Sequence, residues 1–350
     1  MEKEPHPVER KPHHTSEAIY PIGNESHALS EQLKELIEKF GYLIKAALSK
    51  NTLSLYQKAW DSFERFCDSK GYQAFPTSPV ALIDFAVSHA TQPIGRHGRP
   101  LAMSTINTYI KAIHYKNHYL GFDSPCDIPL VKLMLKGLNR EFSTDPKQAR
   151  ALKADEVEKM IDLCPDTLIG KRDAAILAIA FASAARRSNV RDFLIEDAEI
   201  VEKIDPTDPD RMYLHVRRSK TDQMGKGRKI PIIQGTRIQP IKRLNDWLKA
   251  SGITSGYLFQ TMDRHGNLRG NPLDGKDISR LVKYYAEAIG LDPSTISSHS
   301  LRAGHVTCAV IAGARDDKIM AITGHRSPVT LHRYIRDDDD FTDHASKGFI

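Results

Sequence analysis

From about Leu29 onward, apolar residues recur along the chain at helical spacing. Leu33, Leu36, Ile37 and Phe40 fall at i, i+3, i+4 and i+7, the stripe of a helix with 3.6 residues per turn. Leu53, Tyr56, Trp60, Phe63 and Phe66 make the same kind of stripe on a second helix that starts near Thr52. Ser78 followed by Pro79 reads as the N-cap and first helical position of a third. Met103, Ile106, Tyr109, Ile110 and Ile113 share one face of a fourth, and 129–140 reads as a fifth. The span 29–141 is therefore expected to be an all-α bundle. Residues 1–28, rich in His, Pro, Glu and Ser, lack a period and read as a disordered tail. Residues 142–150, FSTDPKQAR, read as a linker. The remainder, 151–350, is expected to be mostly helical with one β interruption. There Met212, Leu214 and Val216 alternate, TDQMGKG turns and KIPII returns, a hairpin with a loop longer than two residues. Helices resume near 237. The fold class is thus mainly α with a small β-hairpin or sheet.

Composition narrows the field. A chain of 350 residues with 40% apolar content is long enough for two domains, each with its own core. No run of about 18 apolar residues occurs, so no membrane span is expected. The opening MEKEPHPVERKPHH has no apolar stretch behind its charges, so no secretory signal is expected. Cys67, Cys126, Cys164 and Cys308 stand far apart, which argues for a reduced, cytoplasmic protein without a zinc site or disulfide framework. The net charge is +6 and is unevenly spread. Residues 1–30 carry three Lys/Arg against five Asp/Glu, residues 31–150 sixteen against eleven, and the rest 31 against 28. The basic excess in the first folded half fits a nucleic-acid-binding module.

The chemistry-bearing residues gather toward the C-terminus. In SSHSLRAGHVTCAVIAGA, His299 and Arg302 are three apart and share a helix face, with Gly313 placed to end the helix. A histidine and an arginine near a helix N-terminus can donate to phosphate oxygens. In DDKIMAITGHRSPVTLHRYIRD, Asp316 can cap a short helix, Gly324 can stop it and His325 follows. Ser327-Pro328 then opens another helix, with Tyr334 about two turns in. Upstream, AAILAIAFASAARRSNVRDF reads as an apolar helix ending in Arg186 and Arg187, with Ser188 capping the next helix. Lys220 falls where the first hairpin strand runs into its turn. Each feature alone has an ordinary reading: a surface His-Arg pair, a half-buried tyrosine, a solvated arginine pair, a solubilising lysine. GKGRK lacks the spacing of a nucleotide-cradling loop, and no carboxylate cluster suggests two-metal nuclease chemistry.

Taken together and in order, these elements resemble the tyrosine recombinases, or phage integrases, over nearly everything after residue 28. The segment TLSLYQKAWDSFERFCDSKGYQAFPTSPVALIDFAVSHA is similar to the family's helical, SAM-like core-binding domain, and ALKADEVEKMIDLC to the opening of its catalytic domain. The family's Gly-x-Arg-x-Ser-Glu run aligns with Ala184 to Asn189, which gives Arg186 the role of first catalytic arginine. Arg187 could compete for that role if the helix phase is off by one. The resemblance further implies Lys220, His299, Arg302 and His325 in the site and Tyr334 as nucleophile. It implies no metal and no nucleotide cofactor, double-stranded DNA with a specific target as substrate, and two domains clamping it. It also implies four protomers on two DNA sites, accessory DNA-bending proteins in some cases, and association with the nucleoid. Asn189 departs from the family's usual acid. Two alternatives stay open: a type IB topoisomerase-like enzyme with relaxation as its output, and a catalytically silent DNA-binding protein.

Overall fold

The computed structural model describes residues 47–93, 98–144, 148–217, 222 and 226–332. The chain divides into two compact units, Met1–Pro146 and Lys147–Ile350. The expected stripe at Leu33–Phe40 and the tail at 1–28 lie outside the described residues.

Among the described residues of the first unit, four α-helices surround an aromatic-rich core: α1 (Lys50–Lys70), α2 (Pro79–Thr91), α3 (Met103–Tyr119) and α4 (Pro129–Phe142). Helix α1 begins two residues before the expected start because Ser49 caps it, its Oγ accepting from the Thr52 N–H at 3.2 Å. Ser78 and Pro79 open α2 as the sequence suggests. Phe63 and Phe85 are fully buried and meet edge to face at a centroid distance of 5.2 Å. Each contributes about 1.5–3 kcal/mol by burial. Asn117, also fully buried, ties α3 to the turn before α2 by donating to Thr77 Oγ1 at 2.9 Å and accepting from Thr77 N at 3.2 Å.

The second unit is organised around α6 (Leu168–Ala182), which packs against α5 (Ala154–Asp162), α8 (Pro240–Ser251) and α10 (His299–Ile311). Residues 174–181 of α6 are apolar and buried on every side, as a helix apolar all round must be. Between α6 and α8 come α7 (Arg187–Asp192) and an antiparallel sheet ordered β1-β2-β3: Ala198–Val201, Arg211–Val216 and Arg228–Ile233. Met212, Leu214 and Val216 point inward and pair with β3 in the register Leu214↔Ile230. The expected hairpin is therefore two strands of a three-stranded sheet. A second hairpin, β4 (Gln260–Met262) and β5 (Leu268–Pro272), lies where the sequence suggested helix alone. Helices α9 (Gly275–Ala288), α10, α11 (Asp316–Thr323) and α12 (Pro328–His332) complete the described chain. Among the described residues no helix is long and apolar enough to cross a membrane. All four cysteines are free thiols.

Gly304 lets α10 come against the segment that opens this unit. A Cβ there would overlap the carbonyl oxygen of Leu152, whose N–H donates to Ser300 O at 3.0 Å. That approach seats α10, and Arg302 with it, against the core.

Candidate active site

The site begins where α6 ends. Ser183 closes the helix by donating its hydroxyl to Ile179 O at 2.6 Å, and Ala184 then turns left-handed at φ 46. An L-residue with a Cβ disfavours that region by roughly 1–2 kcal/mol. The turn presents the Ala184 carbonyl to the buried Arg302, whose Nη1 donates to it at 2.7 Å. It also ends α6 before the arginines. Arg186 is not a helix end but the extended N-cap of α7, and Ser188 lies inside α7 rather than capping it, because the first α7 hydrogen bonds run to Arg186 O. Replacing Ala184 with glycine removes the Cβ conflict but adds unfolded-state entropy. Ala184→Gly is expected to stabilise the chain by roughly 0.5–1 kcal/mol, read as a rise of a few degrees in thermal melting; a lower melting temperature would contradict the strained turn.

Arg302 and His325 form the buried heart of the site. Arg302 is 1% exposed and His325 8% exposed. Arg302 Nη2 lies 2.8 Å from His325 Nε2, and His325 Nδ1 lies 3.0 Å from Thr323 Oγ1. Thr323 already donates its one hydroxyl hydrogen to Ile319 O at 2.8 Å, so it accepts from His325 Nδ1–H. A guanidinium can only donate, so His325 Nε2 accepts from Arg302. This hydrogen-bond pattern assigns His325 as the neutral Nδ1–H tautomer. Burial, and then the charges of Arg302, Arg186, His299 and Arg228, push its pKa down to about 4. His299, the exposed first residue of α10, is also held below the usual histidine range, by partial burial and by Arg302 and Arg186.

The arginine pair separates. Arg186 lies close enough to His299, His325 and Arg228 for its charge to be felt by all three. Arg187 turns to α9, donating from Nη1 to Ser279 Oγ at 3.3 Å beside Gly275. The structure thus brings Arg186, His299, Arg302 and His325 together and places Arg187 elsewhere. Lys220 and Tyr334 lie outside the described residues.

Residues 150–340 match the phage integrase family. The chain belongs to that family. As a tyrosine recombinase it is an enzyme that cuts and rejoins DNA. It is 28% identical over 298 residues to the integrase/recombinase xerD homolog of Selenomonas ruminantium, covering 84% of each chain. It is 24% identical over 320 residues to the recombinase cre of Escherichia phage P1, covering 85% of this chain and 87% of that one. Two solved structures show the same fold. One is a lambda integrase(75-356) dimer bound to a COC' core site, with TM-score 0.58, 16% identity, and 89% and 97% of the two chains covered. The other is XerH bound to palindromic difH substrate, with TM-score 0.55, 14% identity, and 85% and 79% covered.

One residue that lies beside this cluster in the recombinase was not singled out from the sequence. Arg228 opens β3, and its Nη1 donates to Ala321 O at 3.1 Å and Ile322 O at 2.5 Å, in the last turn of α11. These carbonyls carry the negative end of the helix dipole. Arg228 also lies against Gly324, where a Cβ would sit 2.8 Å from its Nε and where φ is 70. Burial, then Arg302 and Arg186, lower its pKa to about 10. Among the described residues neither Arg186 nor Arg228 forms an ion pair with a carboxylate. The only signal in the sequence is a basic residue just before the alternating KIPII. Thr323, which fixes the His325 tautomer, gives no signal beyond its place beside Gly324-His325.

The lowered histidines give a pH dependence with a definite sign. His305, pushed down by burial and by Arg302, has a pKa of about 4, like His325. The unfolded chain protonates both near pH 6.5, so between about 6.5 and 4 it binds more protons than the folded chain. Stability is fully present above about pH 6.5 and falls as pH drops toward 4, by on the order of 1.4 kcal/mol per pH unit per group. Urea unfolding at pH 7 and pH 5 is expected to show this loss, and His325→Gln to reduce its slope by about one proton. The same slope in both proteins would contradict the assignment of His325.

Proposed function

We propose that the chain is a site-specific recombinase in which Tyr334 attacks a phosphodiester, leaving a 3′-phosphotyrosyl link and a free 5′-hydroxyl. The observation that carries this reading is the clustering of Arg186, Arg228, Arg302, His299 and His325 within reach of one another's charges, where Arg186 and Arg228 have no carboxylate ion pair among the described residues. Such a concentration of cations suits a phosphate and the extra negative charge of its phosphorane. Arg186, Arg302 and His325 hold the non-bridging oxygens. Lys220 protonates the departing 5′ oxygen, and His299 exchanges a proton with the tyrosine. The covalent link conserves the bond energy, so religation requires no nucleotide.

The resting hydrogen bonds add a step. With Nδ1–H turned to Thr323 and Nε2 accepting from Arg302, neutral His325 has no proton to offer a phosphate. A bound phosphate raises the imidazole pKa by its charge. Protonation makes Nε2 a donor, breaks the Arg302–His325 bond and turns both groups onto the phosphate. Arg228 acts as a positioning residue, tying β3 to the end of α11 just before His325. Arg228→Lys keeps the charge but not the planar guanidinium whose Nη1 bridges the two carbonyls. It is expected to slow cleavage about tenfold or more and to shift the pH profile of cleavage, with DNA binding nearly unchanged. An unaltered pH profile would remove Arg228 from this role.

The DNA partner is duplex with a specific target, read by side chains that phosphate contacts position. Four protomers on two sites, exchanging strands pairwise through a Holliday junction, and accessory bending proteins in some cases complete the reading. The enzyme acts in the cytoplasm, on the nucleoid. A supercoiled plasmid carrying two copies of a DNA segment selected by binding to the protein tests it. Deletion or inversion between the copies is the expected product. Relaxation of plasmids regardless of the segment would favour a topoisomerase, and the absence of any cleavage a silent DNA-binding protein.

A further inference from the structure

A second cluster of chemistry-bearing side chains lies in the N-terminal unit, among residues to which the proposed cleavage mechanism gives no role. His114 and His118 are one turn apart on α3, at i and i+4, so both rings project from the same face. The one-turn 3₁₀ helix Pro125–Asp127 brings a carboxylate up to them. His118 Nε2 lies 3.0 Å from Asp127 Oδ2, and His114 Nδ1 lies 3.8 Å from the same oxygen. One ligand atom from each of the three residues lies within 4.8 Å of the others.

Two imidazoles and a carboxylate are the donor set of a borderline divalent ion such as zinc rather than of magnesium or calcium, which take oxygen. A second observation points the same way. The Nδ1 atom of His114 is shielded from solvent, on a side chain that is 42% exposed, and has no hydrogen-bond partner among the described residues, and 3.8 Å is too long for a bond to Asp127. A buried ring nitrogen left unsatisfied is unfavourable, and a ligated cation would satisfy it. The backbone that carries Asp127 is already held. Ser124 is buried, its Oγ accepts from Cys126 N at 3.2 Å, and Asp127 N donates to Ser124 O at 3.0 Å. Lys132 Nζ sits 3.7 Å from Oδ1, the other carboxylate oxygen, and at 61% exposure can swing away. A tetrahedral zinc with bonds of about 2.0–2.1 Å keeps its ligand atoms about 3.4 Å apart. Side-chain rotations that open the 3.0 Å His118–Asp127 pair slightly and bring His114 closer to both would close the site without moving the backbone.

We propose that His114, His118 and Asp127 form a binding site for a zinc-class divalent ion, with water in the fourth position. The ion staples α3 to the turn that launches α4 at Pro129. It stabilises the N-terminal unit and takes no part in strand cleavage.

The chain has 15 histidines, so total zinc uptake does not decide the matter. The informative quantity is the difference between the full-length protein and its His118→Gln and Asp127→Asn variants, each first checked for unchanged melting in zinc-free buffer. Calorimetric titration with zinc chloride is expected to show one more tight site in the wild type than in either variant. Saturating zinc should raise the wild-type melting temperature by about 5 °C more than that of the variants. Cobalt in place of zinc should give the strong visible absorption of a tetrahedral complex in the wild type and not in the variants. Magnesium should do neither. Equal zinc uptake and equal melting shifts in all three proteins would overturn the proposal. If a variant fails to fold, absence of the tetrahedral cobalt band from the wild type alone would overturn it as well.

Discussion

Tyr334→Phe is expected to abolish covalent attachment to DNA while changing DNA affinity by less than about threefold, under 1 kcal/mol. The change removes one oxygen and keeps the ring, so packing and phosphate contacts stay as they were. The phenyl ring left behind carries no nucleophilic oxygen. A tyrosine hydroxyl with an ordinary pKa near 10 is a weak nucleophile at neutral pH. On the proposed mechanism its reactivity rests on nearby cations, which favour the anionic form, and on His299 as the group that takes its proton. Denaturing gels of protein incubated with a nicked duplex target, alongside native gel shifts of the same samples, read both quantities. Equal loss of adduct and of binding would mean that Tyr334 supports the fold rather than the chemistry.

Arg186→Ala is expected to slow cleavage at least about a hundredfold, the usual consequence of deleting one preorganised donor to a developing anion, whereas Arg187→Ala should stay within about tenfold. The two arginines are adjacent in sequence but face different partners. Arg186 is half-buried at the N-cap of α7, near His299, His325 and Arg228. Arg187 is exposed and reaches Ser279 on α9. Single-turnover cleavage rates with saturating protein separate the two. The reverse ranking would move the pocket by one residue and detach it from the Ala184 turn.

The parts of the fold that depend on neighbours in sequence were legible. Ser78-Pro79 starts α2 and Gly313 lies just beyond α10 because capping is local. The alternation of Met212, Leu214 and Val216 marks β2 because one face of the sheet is buried. The β4–β5 hairpin escaped notice because its strands are three and five residues long and carry Arg, Gly, Asn and Pro, so no period-2 pattern can show. The same division holds in the site. That His299, Arg302 and His325 come together was expected only from a family pattern, since each has a common structural explanation when taken alone. Ala184 occupies the family's glycine position, and its positive φ gives the physical reason for a glycine there. Arg228 was illegible because its role rests on a contact spanning ninety-three residues of sequence, to Ala321. The phase of Arg186 against Arg187 was set by the left-handed turn before them, which spacing alone does not reveal.

The central claim is that Tyr334 is the residue that joins the chain to DNA. The most direct measurement is to trap the wild-type protein on a nicked duplex target, digest the adduct and identify by mass spectrometry which residue carries the nucleotide. The account predicts a single modified residue, Tyr334, linked through a 3′ phosphate. A nucleotide on any other residue, or linkage through a 5′ phosphate, would contradict it.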